Sequence, residues 1–239
     1  MQRLAELLTV VIPCKNEESY IGKLLGDLEC QNGSRGLLVV VCDGGSTDRT
    51  LGAVKSRQLT CKNIKISVAE GGSVSRGRNR GLEATTTPYV VFIDADTRLF
   101  SNGILLEGVR ELQAGYEMVG APIRSYGKDP RAAFVFRLFN AFQKQYIKWE
   151  TFCVGQFCMA SADRIRELGG FDETVDNSED YLLSRKVPVG KFKILKSEVG
   201  QDERRFKKMG YLSFGLLLFR NFLWRNDIKN FRRKTKYWE

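Results

Sequence analysis

Histidine is absent from the 239 residues. Its absence excludes Ser-His-Asp catalysis, His-ligated zinc and imidazole acid/base chemistry, so any proton transfer falls to carboxylates or to Lys, Tyr or Cys. No two of the six cysteines form a C-x-x-C pair, and the first residues show no signal-peptide pattern. Cys14, Cys30, Cys42, Cys61, Cys153 and Cys158 are therefore expected to be reduced and mostly structural. There are only five prolines, no Pro/Gly-rich linker and no fixed-period repeat. The apolar runs are far shorter than the ~20 residues of a spanning helix. No transmembrane segment is expected.

What is present describes a globular chain: 43% apolar and 28% charged residues, with a formal charge of +10. The positive charge favours an anionic partner, whether nucleic acid, acidic headgroups or a phosphorylated substrate. Zinc-finger, RNP and helix-turn-helix patterns are missing, so a nucleic-acid-binding module is the weakest of the readings and no nucleic-acid partner is expected.

The first half alternates Val/Ile-rich runs with helix-compatible stretches. The runs are LLTVVIP (7–13), LLVVVCD (37–43), IKISV (64–68) and YVVFID (89–94). This is the pattern of βαβ units around a mostly parallel sheet flanked by helices. Between them Ile21, Leu24, Leu25 and Leu28 fall on one helical face, and STDRTLGAVKSR opens with a Ser or Thr suited to capping a helix. Pro13, Asp43 and Asp94 end their runs at the carboxyl edge, where such sheets bind ligands. Beyond a soft boundary near Leu99 come an aromatic-rich helix over 131–152, a short strand QFCMAS and a helix SADRIRELGG.

In VVFIDADTRLF (90–100) the carboxylates Asp94 and Asp96 stand one residue apart. On an extended segment both point to one face and oppose each other's ionisation unless a cation lies nearby. Oxygen donors without Cys or His suit Mg²⁺ or Mn²⁺, whose shell is commonly completed by substrate phosphates and water. Taken alone, a D-x-D can equally cap a turn. Asp43 in VVVCDGGSTDRT precedes a helix start that attracts anions, and SRGRNRG (75–81) offers Arg76, Arg78 and Arg80 to a diphosphate.

VVIPCKNEE, VVVCDGGSTDRT, GRNRG and VVFIDADT, in this order and spacing, resemble the nucleotide-sugar glycosyltransferases of family 2, which have the GT-A fold. GQFCMASADRIRELGGFDETVDNSEDYLLSRK (155–186) resembles the acceptor-side segment of the family, so the likeness spans about residues 8–200. It implies an enzyme of hexosyltransferase type: an inverting transferase using Mn²⁺ or Mg²⁺ and a nucleoside-diphosphate sugar, with a glycan hydroxyl or a lipid-linked molecule as acceptor. By the same resemblance Pro13, Glu17 and Asp43 hold the nucleoside and Arg78 lies near the diphosphate. Asp94 touches ribose or metal, Asp96 binds the metal, and Asp180 is the catalytic base with Glu179 as its local rival. A polyprenyl-phosphate sugar synthase of the same fold and a sugar-phosphate nucleotidyltransferase are the alternatives; the latter's Gly-rich opening loop is not provided by IPCKNEE.

Two features depart from the family or lie outside it. Many GT-A enzymes complete the metal shell with a His, for which only Gln201 and Asp202 are nearby substitutes here; ERRF, by contrast, resembles the RRF that follows this point in some family members, a resemblance that implies Arg204 or Arg205 closing over the diphosphate. The organisation expected is a catalytic domain over 1–202, with a donor half (8–98) and an acceptor half (99–202), then a basic, aromatic extension over 203–239. The extension carries eleven Lys and Arg. With Trp224 and Trp238 as anchors it suits either peripheral contact with the inner face of the cell membrane from the cytoplasm, or packing on the catalytic domain. Phe136, Phe139, Phe142 and Tyr146 follow helical spacing and read as core or subunit contact.

Overall fold

Val- and Ile-rich runs with few charges are what strands buried on both faces require. The computed structural model describes residues 3–233, apart from the side chains of Arg205, Phe214 and Leu218. Its strands are β1 (Leu8–Cys14), β2 (Leu38–Asp43), β3 (Lys65–Glu70), β4 (Tyr89–Phe92), β5 (Arg98–Leu99), β6 (Met118–Gly120), β7 (Ile123–Ser125), β8 (Cys158–Ser161), β9 (Phe192–Ile194) and β10 (Val199–Gln201). The helices are α1 (Leu4–Leu7), α2 (Ile21–Glu29), α3 (Thr50–Thr60), α4 (Val74–Glu83), α5 (Ile104–Gln113), α6 (Pro130–Tyr146), α7 (Ala162–Glu167), α8 (Glu179–Ser184), α9 (Arg204–Met209), α10 (Tyr211–Leu223) and α11 (Ile228–Arg232).

The main sheet has the order β3-β2-β1-β4-β8-β6-β9, with β8 antiparallel to both neighbours and the other pairings parallel. A second sheet, β5-β10-β7, stands beside it. Strands from both the donor and the acceptor stretches thus share one sheet. Every residue of β1 is buried, and its side chains alternate: Val10 and Ile12 enter one apolar cluster, Val11 the other. Helices α2, α3 and α5 cover the first face, whereas α4, α7 and α8 cover the second. Helix α4 lies directly on β1, because a Cβ on Gly81 would stand 2.1 Å from Val11.

After β1 the chain builds outward to β2 and β3, then returns to place β4 on the other side of β1. The strand order reverses there, and the crevice outside such a reversal is where open α/β sheets bind ligands. Local details differ from the sequence expectation. Helix α3 starts at Thr50 with no side-chain cap from its preceding residue; Asp48 accepts the Thr50 N–H at 2.9 Å, while the Ser46 hydroxyl turns to Asp43. Helix α6 ends at Tyr146, short of the 152 expected.

Candidate active site

Asp94 and Asp96 do not continue β4. The strand stops at Phe92, and the Thr97 N–H donates to the Asp94 carbonyl at 3.0 Å, closing a turn. The extended-strand premise is therefore corrected: a turn, not a pleat, brings the two carboxylates to one cleft, where both are largely buried.

The cleft measures about 980 Å³, enough for a small-molecule ligand, and its walls are strand ends and a helix start. Pro13 lies near the end of β1, with Lys15 and Glu17 just beyond it, Gly44 follows β2, Ser73 and Ser75 belong to the start of α4, and Arg204 and Lys208 come from α9. Ser73 caps α4, accepting the Arg76 N–H at 3.3 Å. The ten-residue α4 thereby aims its positive end into the cleft, beside three cationic side chains.

Each aspartate is answered by an arginine. Arg78 Nη2 lies 2.7 Å from Asp94 Oδ1, and its Nη1 bonds Glu179 Oε1. At 1% exposure Arg78 sits beneath the cleft floor rather than beside it, so it cannot reach a diphosphate without leaving both carboxylates. It joins β4's end to the start of α8, and its Nε is buried without a hydrogen-bond partner. The neighbouring Arg76 and Arg80 are exposed, the latter paired with Glu83.

Arg204 Nη2 meets Asp96 Oδ2 at 2.9 Å and Glu17 Oε1 at 2.5 Å, and its guanidinium carbon lies 4.6 Å from the Tyr20 ring centre. Burial pushes Glu17 up to about 7 against the pull of this arginine. The other oxygen of Glu17, Oε2, is buried without a hydrogen-bond partner. Tyr20, Tyr126, Lys15 and Lys208 are site residues that the sequence reading missed. Tyr126 reaches the Asp96 carbonyl with its hydroxyl at 2.9 Å, a contact no local spacing announces.

Asp43 is spent on its own loop. Its Oδ2 accepts the Gly45 and Ser46 N–H groups at 3.1 Å and its Oδ1 the Ser46 hydroxyl at 2.5 Å. The six cysteines are free thiols; Cys14 and Cys42 are buried at this edge, and burial raises both.

The acidic pair splits. Glu179 lines the cleft and binds Arg78; Asp180 accepts the Gly155 N–H at 2.5 Å and the Tyr181 N–H at 2.7 Å. Burial and the adjacent Glu179 carry Asp180 up to about 7. Of the substitutes for a metal-binding His, Asp202 accepts the Arg204 N–H and Gln201 ends β10; neither lines the cleft. The expectations placed on the Arg205 side chain and on Trp238 fall outside what the structure describes.

Among the described residues, no group of three or more His, Cys, Asp or Glu side chains is arranged to hold an ion. The residues nevertheless fit a hard divalent ion bound through few protein ligands. Asp94 and Asp96 supply oxygen donors at the cleft, and the orphaned Glu17 oxygen beside them lacks a donor to satisfy it.

Residues 9–168 match Glycosyl transferase family 2, and the chain belongs to that family. It is 26% identical over 183 residues to the 4,4'-diaponeurosporenoate glycosyltransferase of Staphylococcus haemolyticus (74% of this chain, 46% of that protein). It is 33% identical over 133 residues to the validoxylamine A glucosyltransferase of Streptomyces hygroscopicus subsp. limoneus (52% of this chain, 28% of that protein). The chain thus spans less than half the length of these curated relatives. Among solved structures, a mannosyltransferase of Pyrobaculum calidifontis in complex with GDP-Man and Mn²⁺ superposes with a TM-score of 0.69 at 21% identity, over 98% of this chain and 67% of that one. The mostly parallel sheet flanked by helices is the GT-A arrangement expected from the sequence.

Proposed function

We infer that this member of family 2 transfers a sugar, with inversion, from a nucleoside diphosphate to an acceptor hydroxyl. The observation that carries the reading is the cleft at the strand-order reversal, whose lining brings Asp94, Asp96 and Glu17 together with the α4 amino end, Lys15, Arg204 and Lys208. Carboxylates and cations so arranged suit a diphosphate bound together with a divalent ion. The relatives that bear glycosyltransferase names, and the GDP-Man complex of the structural neighbour, support this assignment.

In this reading the donor half is the 8–98 stretch, with Pro13, Glu17 and Asp43 toward the nucleoside. Asp43 acts by holding the Gly45–Ser46 loop in shape as well as by its carboxylate. Asp94 and Asp96 would hold Mn²⁺ or Mg²⁺, which when bound neutralises charge on the leaving diphosphate. Arg204, already over Asp96, is placed to exchange its carboxylate partners for phosphate oxygens. Arg78 does not bind the diphosphate; it is a positioning residue that fixes Asp94 and Glu179 from below.

Asp180 takes the acceptor proton. The acceptor oxygen forms a bond to the anomeric carbon, the bond from that carbon to the diphosphate breaks with its electron pair leaving on the diphosphate, and the hydroxyl proton passes to the Asp180 carboxylate. A carboxylate held near 7 is basic enough for that transfer at neutral pH.

Thermal shift against UDP-, GDP- and dTDP-sugars with and without Mn²⁺ tests the proposal. Metal-dependent stabilisation by one nucleoside diphosphate, followed by release of that diphosphate in the presence of acceptor, is expected. Stabilisation by none of them would sink it.

A further inference from the structure

Helices α6 and α10 lie side by side and run the same way. At their starts the Tyr211 hydroxyl donates to Asp129 Oδ2 at 2.9 Å and Arg131 stacks on the Tyr211 ring; at their ends Phe222 packs edge-on against Phe142 and Tyr146. With about 100° of turn per residue, each helix carries one outward apolar stripe. On α6 it is Phe134, Leu138 and Phe142, opposite buried Ala132, Phe136 and Gln143. On α10 it is Leu212, Leu216, Phe219 and Leu223, opposite Leu217 and Asn221. Leu212 is 79% exposed and Phe134 61%, so side chains that ordinarily lead a core face outward together here. A patch of this size on a chain with charge to spare marks a contact surface.

The charges choose the occupant. Between residues 131 and 149, and again between 204 and 226, the sequence has no Asp or Glu, only Lys and Arg. Arg137 and Lys144 are exposed on α6 and Lys148 just past its end. A second copy of the chain meeting this face about a two-fold axis would bring cations against cations. An anionic lipid layer complements both the apolar stripes and their basic flank. Trp149 and Trp224, exposed at the far ends of the two helices, are suited to the headgroup level. No described helix is long and apolar enough to cross a membrane, so the pair would lie on the bilayer rather than span it.

We propose that the α6–α10 face is a peripheral docking surface for an anionic lipid bilayer. The inner side of α10 ties this surface to the reaction centre: Asn221 Nδ2 donates to Asn177 Oδ1 at 3.0 Å and Ser178 Oγ at 3.3 Å, the two residues just before Glu179 and Asp180. Docking therefore sets the acid pair about one helix diameter from the headgroups, roughly 10 Å. On the glycosyl-transfer reading, on which this consequence rests, the acceptor is a molecule anchored in that layer.

Flotation with phosphatidylcholine vesicles, with and without phosphatidylglycerol, tests the surface independently of any transfer. Binding is expected only to the anionic vesicles and is expected to fall with salt. Arg137→Gln, Lys144→Gln and Lys148→Gln should each weaken it by about fivefold at low salt. The triple change Leu212→Glu, Leu216→Glu, Phe219→Glu should abolish it while thermal stabilisation by the nucleoside diphosphate persists. That retained shift shows that the variant folds and keeps the donor reading separate from the lipid one. Failure of the wild type to float with phosphatidylglycerol vesicles overturns the proposal. So does a wild-type dimer, seen by sedimentation, that the triple change splits without altering flotation.

Discussion

Arg204 Nη2 stands 2.9 Å from Asp96 Oδ2, although the two residues lie far apart in the chain and belong to α9 and to the turn after β4. The same nitrogen holds Glu17. One guanidinium thereby offsets two carboxylates that would otherwise repel each other across the mouth of the cleft, and it sits where the proposed diphosphate and metal would bring their own charges.

Loss of that guanidinium is expected to cost donor affinity. Charge-assisted hydrogen bonds contribute about 1.5–3 kcal/mol each. The Arg204 side chain is 38% exposed, so solvent screening puts the effect at the lower end. Arg204→Gln should raise the dissociation constant for the nucleoside diphosphate by about tenfold, measured by calorimetry with Mn²⁺. Asp96→Ala should remove the metal dependence altogether, so that chelator no longer changes binding. A variant pair that titrates like the wild type would separate this pairing from donor binding.

Arg78 is expected to matter first for stability. Removing one partner of a buried ion pair leaves the others uncompensated and costs about 3–5 kcal/mol. Here Asp94 and Glu179 would be left together under the cleft. Arg78→Ala should lower the denaturant midpoint accordingly, with Arg78→Lys recovering part of the loss because one ammonium cannot span two carboxylates as a planar fork does. Equal midpoints for wild type and Arg78→Ala would show that the pair of contacts carries no net energy.

Much of this site could be read along the chain, and the unread parts share a cause. The runs ending in Pro13, Asp43 and Asp94 signalled the carboxyl edge because buried parallel strands are written as unbroken apolar stretches. The sequence leaves Asp94 and Asp96 between an extended segment and a turn, since a D-x-D suits both and strand propensity says little about where a ladder stops. Arg78, Tyr126 and Arg204 owe their partners to contacts across the fold, and no periodicity encodes a neighbour so distant in sequence. On α6 the helical spacing of Phe136, Phe139, Phe142 and Tyr146 was legible and suggested core or subunit contact; the structure buries Phe136 but leaves Phe142 47% exposed, in an outward stripe with Phe134 and Leu138 that the spacing did not single out.

Asp180 gives a pH dependence whose sign follows from its position. Its pKa is shifted up, to about 7 from the usual 3.8. A base works in its ionised form, so turnover should fall as pH drops through about 7 and level off above it. Stability runs the other way, because the fold favours the protonated acid: the contribution is complete below pH of about 4 and is lost as pH rises through about 7. Asp180→Asn should abolish turnover on a hydroxyl acceptor and flatten the stability profile. Glu179→Gln should retain a kinetic limb but move it to lower pH, because it removes a charge that helps raise Asp180 and not the proposed base itself. A limb that persists in Asp180→Asn would assign the proton to another group.

Gly155 tests whether this arrangement tolerates even one added carbon. A Cβ there would stand 2.2 Å from Arg78 Nη2 and 3.3 Å from Asp180 Oδ2, while the Gly155 N–H itself supports Asp180. The arginine cannot yield cheaply, because two carboxylates hold it on the other side. Gly155→Ala should therefore destabilise the chain by about 1–3 kcal/mol, as overpacking does, and should lower turnover beyond what unfolding explains. Gly52 provides the contrast: it lies in the first turn of α3 with nothing within 4 Å of its would-be Cβ. Gly52→Ala should stabilise by about 0.5–1 kcal/mol through the better helix propensity of alanine. Chemical denaturation of the two variants side by side distinguishes a general intolerance of substitution from a constraint seated at the Arg78 and Asp180 contacts. Gly155→Ala with wild-type stability and turnover would mean that the arginine can move aside, and its role in positioning Asp94 and Glu179 would fall with it.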